Sequence, residues 1–162
     1  MRGWLAVLGA AAGAVTAGAA WAAGAPPARS AEVSRPAGLR PVVEDRTAPV
    51  HRIAGGKGTA RLLLDASTGA SAAALTHLTF AAGAEVPEHT HEGSAELLYV
   101  EEGLLEMTVG GKPYTAGPGD AVYIPAGARH SARATRAVRA VQVYAGPGPE
   151  QRFRQGERVQ LE

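Results

Sequence analysis

The chain reads as an all-β protein, a sandwich or barrel of short strands. Three observations lead there. Short apolar runs recur between turn residues from Leu62 to Tyr144. Within them apolar and polar residues alternate with the period of two that a half-buried strand imposes. No stretch carries the three-to-four-residue apolar spacing of a strong amphipathic helix. With 162 residues, one domain with a single sizeable core is expected.

The N-terminal segment stands apart. Arg2 precedes an uncharged stretch that runs to Arg29, most apolar over Trp4-Leu5-Ala6-Val7-Leu8. Ala20-Trp21-Ala22 offers a small-residue cleavage site, and Ala23-Gly24-Ala25 a poorer one because Pro26 follows. Residues 1–22 therefore read as a secretory signal peptide. An uncleaved membrane anchor is the alternative, disfavoured by the weak hydrophobicity of so much Ala and Gly. With Arg2 held inside, either reading places the domain outside the cytoplasm, periplasmic or secreted. The stretch has no twin-arginine signal, so export of an unfolded chain and later metal loading are expected. Residues 23–50, rich in Ala, Pro and Arg, read as a linker or extended arm.

The strands of a β-domain over 51–149 follow in order. Leu62-Leu63-Leu64 and Ala74 to Phe80 are the first candidates, and Gly83 marks the turn before the next. Glu96-Leu97-Leu98-Tyr99-Val100 has strand propensity. Leu105, Met107 and Val109 alternate with Glu106 and Thr108 as a half-buried strand should. Gly110-Gly111 is a two-residue hairpin signal, after which Lys112 to Thr115 returns. Ala121 to Ile124, His130 to Ala134 and Val138 to Tyr144 complete the set. Gly146-Pro147-Gly148-Pro149 then ends the last strand. The tail 150–162 is polar and expected to pack loosely.

Four side chains carry candidate chemistry. His89 and His91 are two apart, so an extended backbone points both to one face and Thr90 to the other. Glu96 follows across Glu92-Gly93-Ser94-Ala95, a stretch able to turn. If Glu96 faces inward, so do Leu98 and Val100, and a carboxylate among apolar neighbours needs a metal or a hydrogen-bonded partner. His130 follows the Pro125–Gly127 turn, and its inward parity continues to Ala132 and Ala134, small residues that leave room for a ligand. Three imidazoles and one carboxylate suit one divalent transition metal ion, whether Mn, Fe, Co, Ni, Cu or Zn. Glu96 is read as the fourth ligand, or, if detached, as a general base.

These residues resemble the two motifs of the cupin superfamily. Gly83, His89, His91, Glu96 and Gly103 match the first motif with no spacing error. Gly119, Pro125, Gly127 and His130 match the second, whose closing Asn is replaced by Ala134, a position that is not a ligand. The segment between the motifs, Leu104 to Pro118, is short, as in small microbial single-domain cupins. The resemblance covers about Leu62 to Ala145. It implies a double-stranded β-helix, or jelly-roll barrel. It also implies that the four residues above are the metal ligands, and that the protein is a homodimer. It leaves the reaction open, because cupins include dioxygenases, isomerases, decarboxylases, lyases and proteins without known catalysis.

Further candidates are weaker. His77, which shares its parity with Leu75 and Thr79, is a candidate cavity-lining proton carrier, although a packed or surface role is favoured. Leu98, Met107, Tyr123 and Ala132 are pocket candidates, with Met107 read as apolar lining because thioethers suit softer ions. Tyr99 is expected to face outward and His51 to be solvated. The formal charge of +1 and the outward parity of Arg129 and Arg133 give no case for nucleic-acid binding. Gly55-Gly56-Lys57-Gly58-Thr59 lacks phosphate-loop spacing. Cysteine is absent, which excludes disulfides, thiolate ligands and a lipidated cysteine. An exported metal-dependent enzyme acting on a small organic substrate is the favoured function. A non-catalytic, metal-dependent receptor for a sugar or organic acid is the alternative.

Overall fold

The computed structural model describes residues 38–146 and 148–160. The expected leader over 1–22, with its anchor alternative, and the linker as far as residue 37 lie outside the described residues. The strands are β1 (Val50–Ile53), β2 (Gly58–Leu64), β3 (Ala73–Phe80), β4 (Glu85–His89), β5 (Ala95–Val109), β6 (Lys112–Ala116), β7 (Ala121–Ile124), β8 (His130–Ala145) and β9 (Arg158–Val159). Every pairing among them is antiparallel.

Two long strands organise the rest. β5 and β8, of 15 and 16 residues, pair along nearly their whole length, from Ala95↔Ala145 to Val109↔His130. Their partners change midway. Residues 138–145 of β8 lie between β3 and β5, whereas β4 pairs with the opposite end of β8. Likewise β7 pairs with 96–99 of β5, and β6 with 105–109. The ladder thus divides into one sheet in the order β9-β1-β2-β3-β8-β5-β7 and another in the order β4-β8-β5-β6. The sequence reading had split each long strand in two, at Val100/Leu105 and Ala134/Val138. The backbone instead passes through, with its register slipping between Val100 and Leu105.

Gly103 makes that passage possible. Its φ of +90° is reserved for glycine, and a Cβ there would sit 2.0 Å from the Ala137 carbonyl oxygen. The slip reverses the inward parity of β5: Glu96, Leu98 and Val100 are buried before it, Leu105 and Met107 after it. Both sheets therefore face one core, in which Leu62, Leu78 and Phe80 meet Leu105, Met107 and Ala134. Each of the Leu, Phe and Met side chains contributes about 1.5–3 kcal/mol on burial. At the expected hairpin, Gly110 and Gly111 both have positive φ, as a type I′ turn requires.

The C-terminal segment corrects the expectation of a loose tail. Pro149–Gln155 forms a short 3-10 helical segment with Phe153 and Glu150 buried, and β9 adds to the free edge of β1. Arg154 bonds the buried carboxylate of Asp65. β1 itself begins at Val50, inside the segment read as linker. His51 was expected to be solvated but is buried, its Nδ1 donating to the Gly156 carbonyl at 3.1 Å. The correction has one cause: the two terminal segments cover each other, which no local pattern in either announces. Among the described residues no helix is long and apolar enough to cross a membrane.

Candidate metal centre

Among the described residues β4 is an edge strand paired only with β8, so it tolerates Pro87. The Pro87 carbonyl accepts from Nδ1 of His89 at 2.8 Å. On β8 the Ala128 carbonyl, at the end of the Pro125–Gly127 turn, accepts from Nδ1 of His130 at 2.9 Å. A carbonyl can only accept, so Nδ1 carries a proton in both rings and Nε2 is the atom turned to the interior. His89 and His130 face each other across the β4–β8 register pair, and their ring centroids lie 4.1 Å apart. His91 packs edge-on against Tyr144 at 5.1 Å.

The structure brings His89, His91, Glu96 and His130 together, with one potential ligand atom from each inside a sphere where all lie within 4.8 Å of one another. Atoms sharing one ion through bonds of about 2.0–2.2 Å would span at most about 4.4 Å, so small side-chain motions suffice. Nε2 of His89 and Nε2 of His91 are buried without a hydrogen-bond partner. Glu96 Oε2 lies 3.2 Å from Nε2 of both His91 and His130, but only the contact with His130 has hydrogen-bonding alignment. Buried, unpartnered nitrogens converging on a carboxylate oxygen are costly unless something binds them. The donor set fits a divalent transition ion.

Electrostatics sharpen this. Burial pushes the Glu96 carboxyl up, but the hydrogen bond from His130, the adjoining His91 imidazole and the hydrogen bond from Gln142 outweigh it and bring the carboxyl down to about 2. Burial drives His89 down to about 4, helped by the charges of Arg152 and its neighbouring imidazoles. His89 is therefore neutral near pH 7, the form that binds metals. Burial also lowers His130, yet its bonds to Glu96 and the Ala128 carbonyl leave its pKa raised.

Behind Glu96 stands a network that the sequence reading missed. Gln142 Nε2 donates to Glu96 Oε1 at 2.6 Å and to the Tyr144 hydroxyl at 3.0 Å, while Gln142 Oε1 accepts from Thr76 at 2.8 Å. Thr76, Gln142 and Tyr144 are all buried. Gln142 and Tyr144 share the even, inward parity of His130 along β8, a signal present in the sequence once that strand is read as continuous.

The cluster opens on a cavity of about 280 Å³. Of the pocket candidates, Leu98, Met107 and Ala132 line it. His77 does not: it sits on the outer face of β3, bonded to Glu101 at 2.8 Å. Its odd parity is opposite to that of the cavity residues Leu78 and Phe80. Tyr123 does not line it either, being 62 % exposed because β7 keeps the outward register of Leu97. Tyr99 faces outward as read. Arg52, Ile53, Arg152 and Phe153, from the terminal segments, complete the wall and were not anticipated.

Residues 76–144 match the family model described as a cupin domain. That stretch is a cupin domain. The chain is 37 % identical over 83 residues to the tetracenomycin polyketide synthase protein TcmJ of Streptomyces glaucescens, covering 51 % of this chain and 54 % of that protein. The chain thus spans about half the length of that curated relative. Similar solved structures include the polyketide cyclase RemF of Streptomyces resistomycificus, at 25 % identity and a TM-score of 0.57 over 66 % of this chain and 80 % of that one. An RmlC-like cupin of Shewanella frigidimarina superposes with a TM-score of 0.59 at 21 % identity, over 68 % and 93 % of the two chains. The position where the cupin motif carries Asn is filled by buried Ala134. Its backbone accepts from Gly83 N at 2.7 Å and donates to Ala84 O at 2.9 Å.

Proposed function

We propose that the protein is an exported cupin that holds one divalent transition metal and acts as an enzyme on a small organic substrate. The observation that carries this is the buried cluster whose unpartnered Nε2 atoms open onto an apolar cavity. His89, His91, His130 and Glu96 would hold the ion. Bound there, it would supply Lewis-acid polarisation of a substrate oxygen or, with a redox-active metal, activation of dioxygen. Glu96 serves as a ligand rather than a general base, because its Oε2 lies 3.2 Å from Nε2 of both His91 and His130 while Gln142 holds its Oε1. Gln142 Nε2 donates to Glu96 Oε1 and leaves Glu96 Oε2 toward the imidazoles. The resemblance to a polyketide cyclase and a polyketide synthase protein favours an oxygen-rich, enolisable substrate, suited to isomerase-, lyase- or dioxygenase-like chemistry.

A second reading, a non-catalytic metal-dependent receptor for a sugar or organic acid, is favoured by the scarcity of proton acceptors. Apart from the cluster, the ionisable groups among the described cavity-lining residues are Arg52, Glu85 and Arg152. Elemental analysis of protein from its native compartment tests the metal, with one transition ion per chain expected and stoichiometric metal lost in His91→Ala. Full occupancy in that variant would overturn the coordination scheme. Turnover of diols, enols and keto acids, with oxygen uptake followed, decides between the readings. Ligand-induced shifts in melting temperature without turnover under any metal would favour the receptor.

Export rests on the leader read over 1–22, and intact-mass measurement of the mature protein should find a chain starting at Ala23. A homodimer is proposed through the outer face of the larger sheet. There Leu75, Val143, Leu97 and Tyr123 lie side by side on four neighbouring strands. Nothing in the composition supports nucleic-acid binding.

A further inference from the structure

We propose that Arg152 is the substrate-recognition residue of this site and that the substrate is a small amphipathic anion. Its carboxylate or enolate oxygen would meet the guanidinium while an apolar body fills the cavity. The proposal rests on the reading of the cavity as the binding site and names the class of molecule it takes.

The cavity wall is largely apolar, with Leu78, Phe80, Leu98, Met107 and Phe153 among its members. Arg152 is set into this wall, half-buried. No carboxylate of the described residues pairs with it, whereas Arg52 and Arg154 on either side have theirs, Glu157 at 3.1 Å and Asp65. Its hydrogen-bond partner is neutral, the Tyr144 hydroxyl at 3.1 Å, and its guanidinium carbon lies 5.1 Å from the centre of the Phe153 ring. Tyr144 is fully buried and Phe153 nearly so, so both supports are fixed and the guanidinium is pre-oriented.

A charge beside apolar surface without a counter-ion is costly, and an anion that pairs with it removes the cost. The planar fork of arginine matches a carboxylate through two parallel hydrogen bonds. Tyr144 occupies one Nη2 proton and leaves the other donors free. An ion held by the histidine cluster would add a second positive centre to the same cavity, so an anion would be drawn between the two. A volume of about 280 Å³ lies at the lower edge of the roughly 300–1,000 Å³ typical of ligand pockets, which sets the size of the body.

The test uses 3-phenylpropionate and benzoate as probes, with 3-phenylpropanamide and benzamide as uncharged counterparts. Affinities are measured by calorimetry on full-length wild type, Arg152→Gln and Arg152→Lys, with metal content and melting temperature recorded for each. The acids should bind the wild type better than the amides. Arg152→Gln should weaken the acids roughly tenfold or more, the amides less than twofold, and leave metal per chain unchanged. Arg152→Lys, which keeps the charge without the fork, should fall between. Equal acid affinity in a natively melting Arg152→Gln, amides bound as well as acids, or no acid binding by the wild type overturns the proposal. A wild type without metal that still binds acids through Arg152 would instead overturn the metal reading alone.

Discussion

Gln142 donates to Glu96 Oε1 at 2.6 Å, joining residues 46 positions apart on the two strands that run through both sheets. Its orientation is fixed from both ends, because Thr76 donates to its oxygen. Gln142→Leu removes that grip with little change in volume. Metal affinity is expected to fall 10–100-fold, as for other groups that orient a ligand, with the fold kept. Competition against a chelator measures it, and unchanged affinity would show that Glu96 is held well enough without Gln142.

Gly103 is the point at which β5 changes sheets. Gly103→Ala adds a Cβ facing the Ala137 carbonyl and forces alanine to a φ of +90°. A loss of about 3 kcal/mol or more is expected, since strain and overpacking add. Gly119→Ala is the control: it shares that φ but has nothing within 4 Å, so it should lose less. Urea unfolding compares the two.

The Asp65 carboxyl contributes stability that depends on pH. Burial raises it, but hydrogen bonds from Ser67 and Arg154, together with the charge of Arg154, leave it below its ordinary value of 3.8. A carboxyl depressed by folding stabilises the native state above its unfolded pKa and loses that contribution as pH falls through the folded one. Asp65→Ala should therefore cost roughly 3 kcal/mol at pH 7, from the lost cap and the broken buried pair. The gap to wild type should narrow below about pH 4. A gap that widens on acidification would refute this sign.

The dimer proposal turns on exposed apolar side chains. Leu97, Tyr99 and Tyr123 remain 39 %, 50 % and 62 % exposed on neighbouring strands. Leu97→Lys combined with Tyr123→Lys should convert a dimer to a monomer in sedimentation while metal content stays the same. Wild type sedimenting as a monomer would remove the proposal.

Much of this was legible in the sequence, and for identifiable reasons. His89, His91, Glu96 and His130 announce themselves through spacing, and parity aims Glu96, Leu98 and Ala132 inward. Parity could not show the slip itself, where the inward face of β5 passes from even to odd positions. Reading β5 and β8 as separate pieces hid that Gln142 and Tyr144 continue the face of His130. His77 takes the packed outer-face role favoured for it, and its weaker cavity reading stayed open because nothing local says which face of β3 meets the cavity. Its partner Glu101 lies on β5, 24 residues on. The terminal segments were illegible because Arg52, Ile53, Arg152 and Phe153 acquire a role only when β1 and β9 pair.

That last pairing bears on how such proteins diversify. The stretch matching the cupin-domain model runs from residue 76 to 144, so it holds His89, His91, Glu96 and His130 but neither Arg52 nor Arg152. If Arg152 selects the ligand as proposed, preference for one molecule over another can change through residues outside the matched stretch while the four clustered side chains stay the same. Under the two proposals above, excising the matched stretch for engineering would keep the anchor and discard the selector.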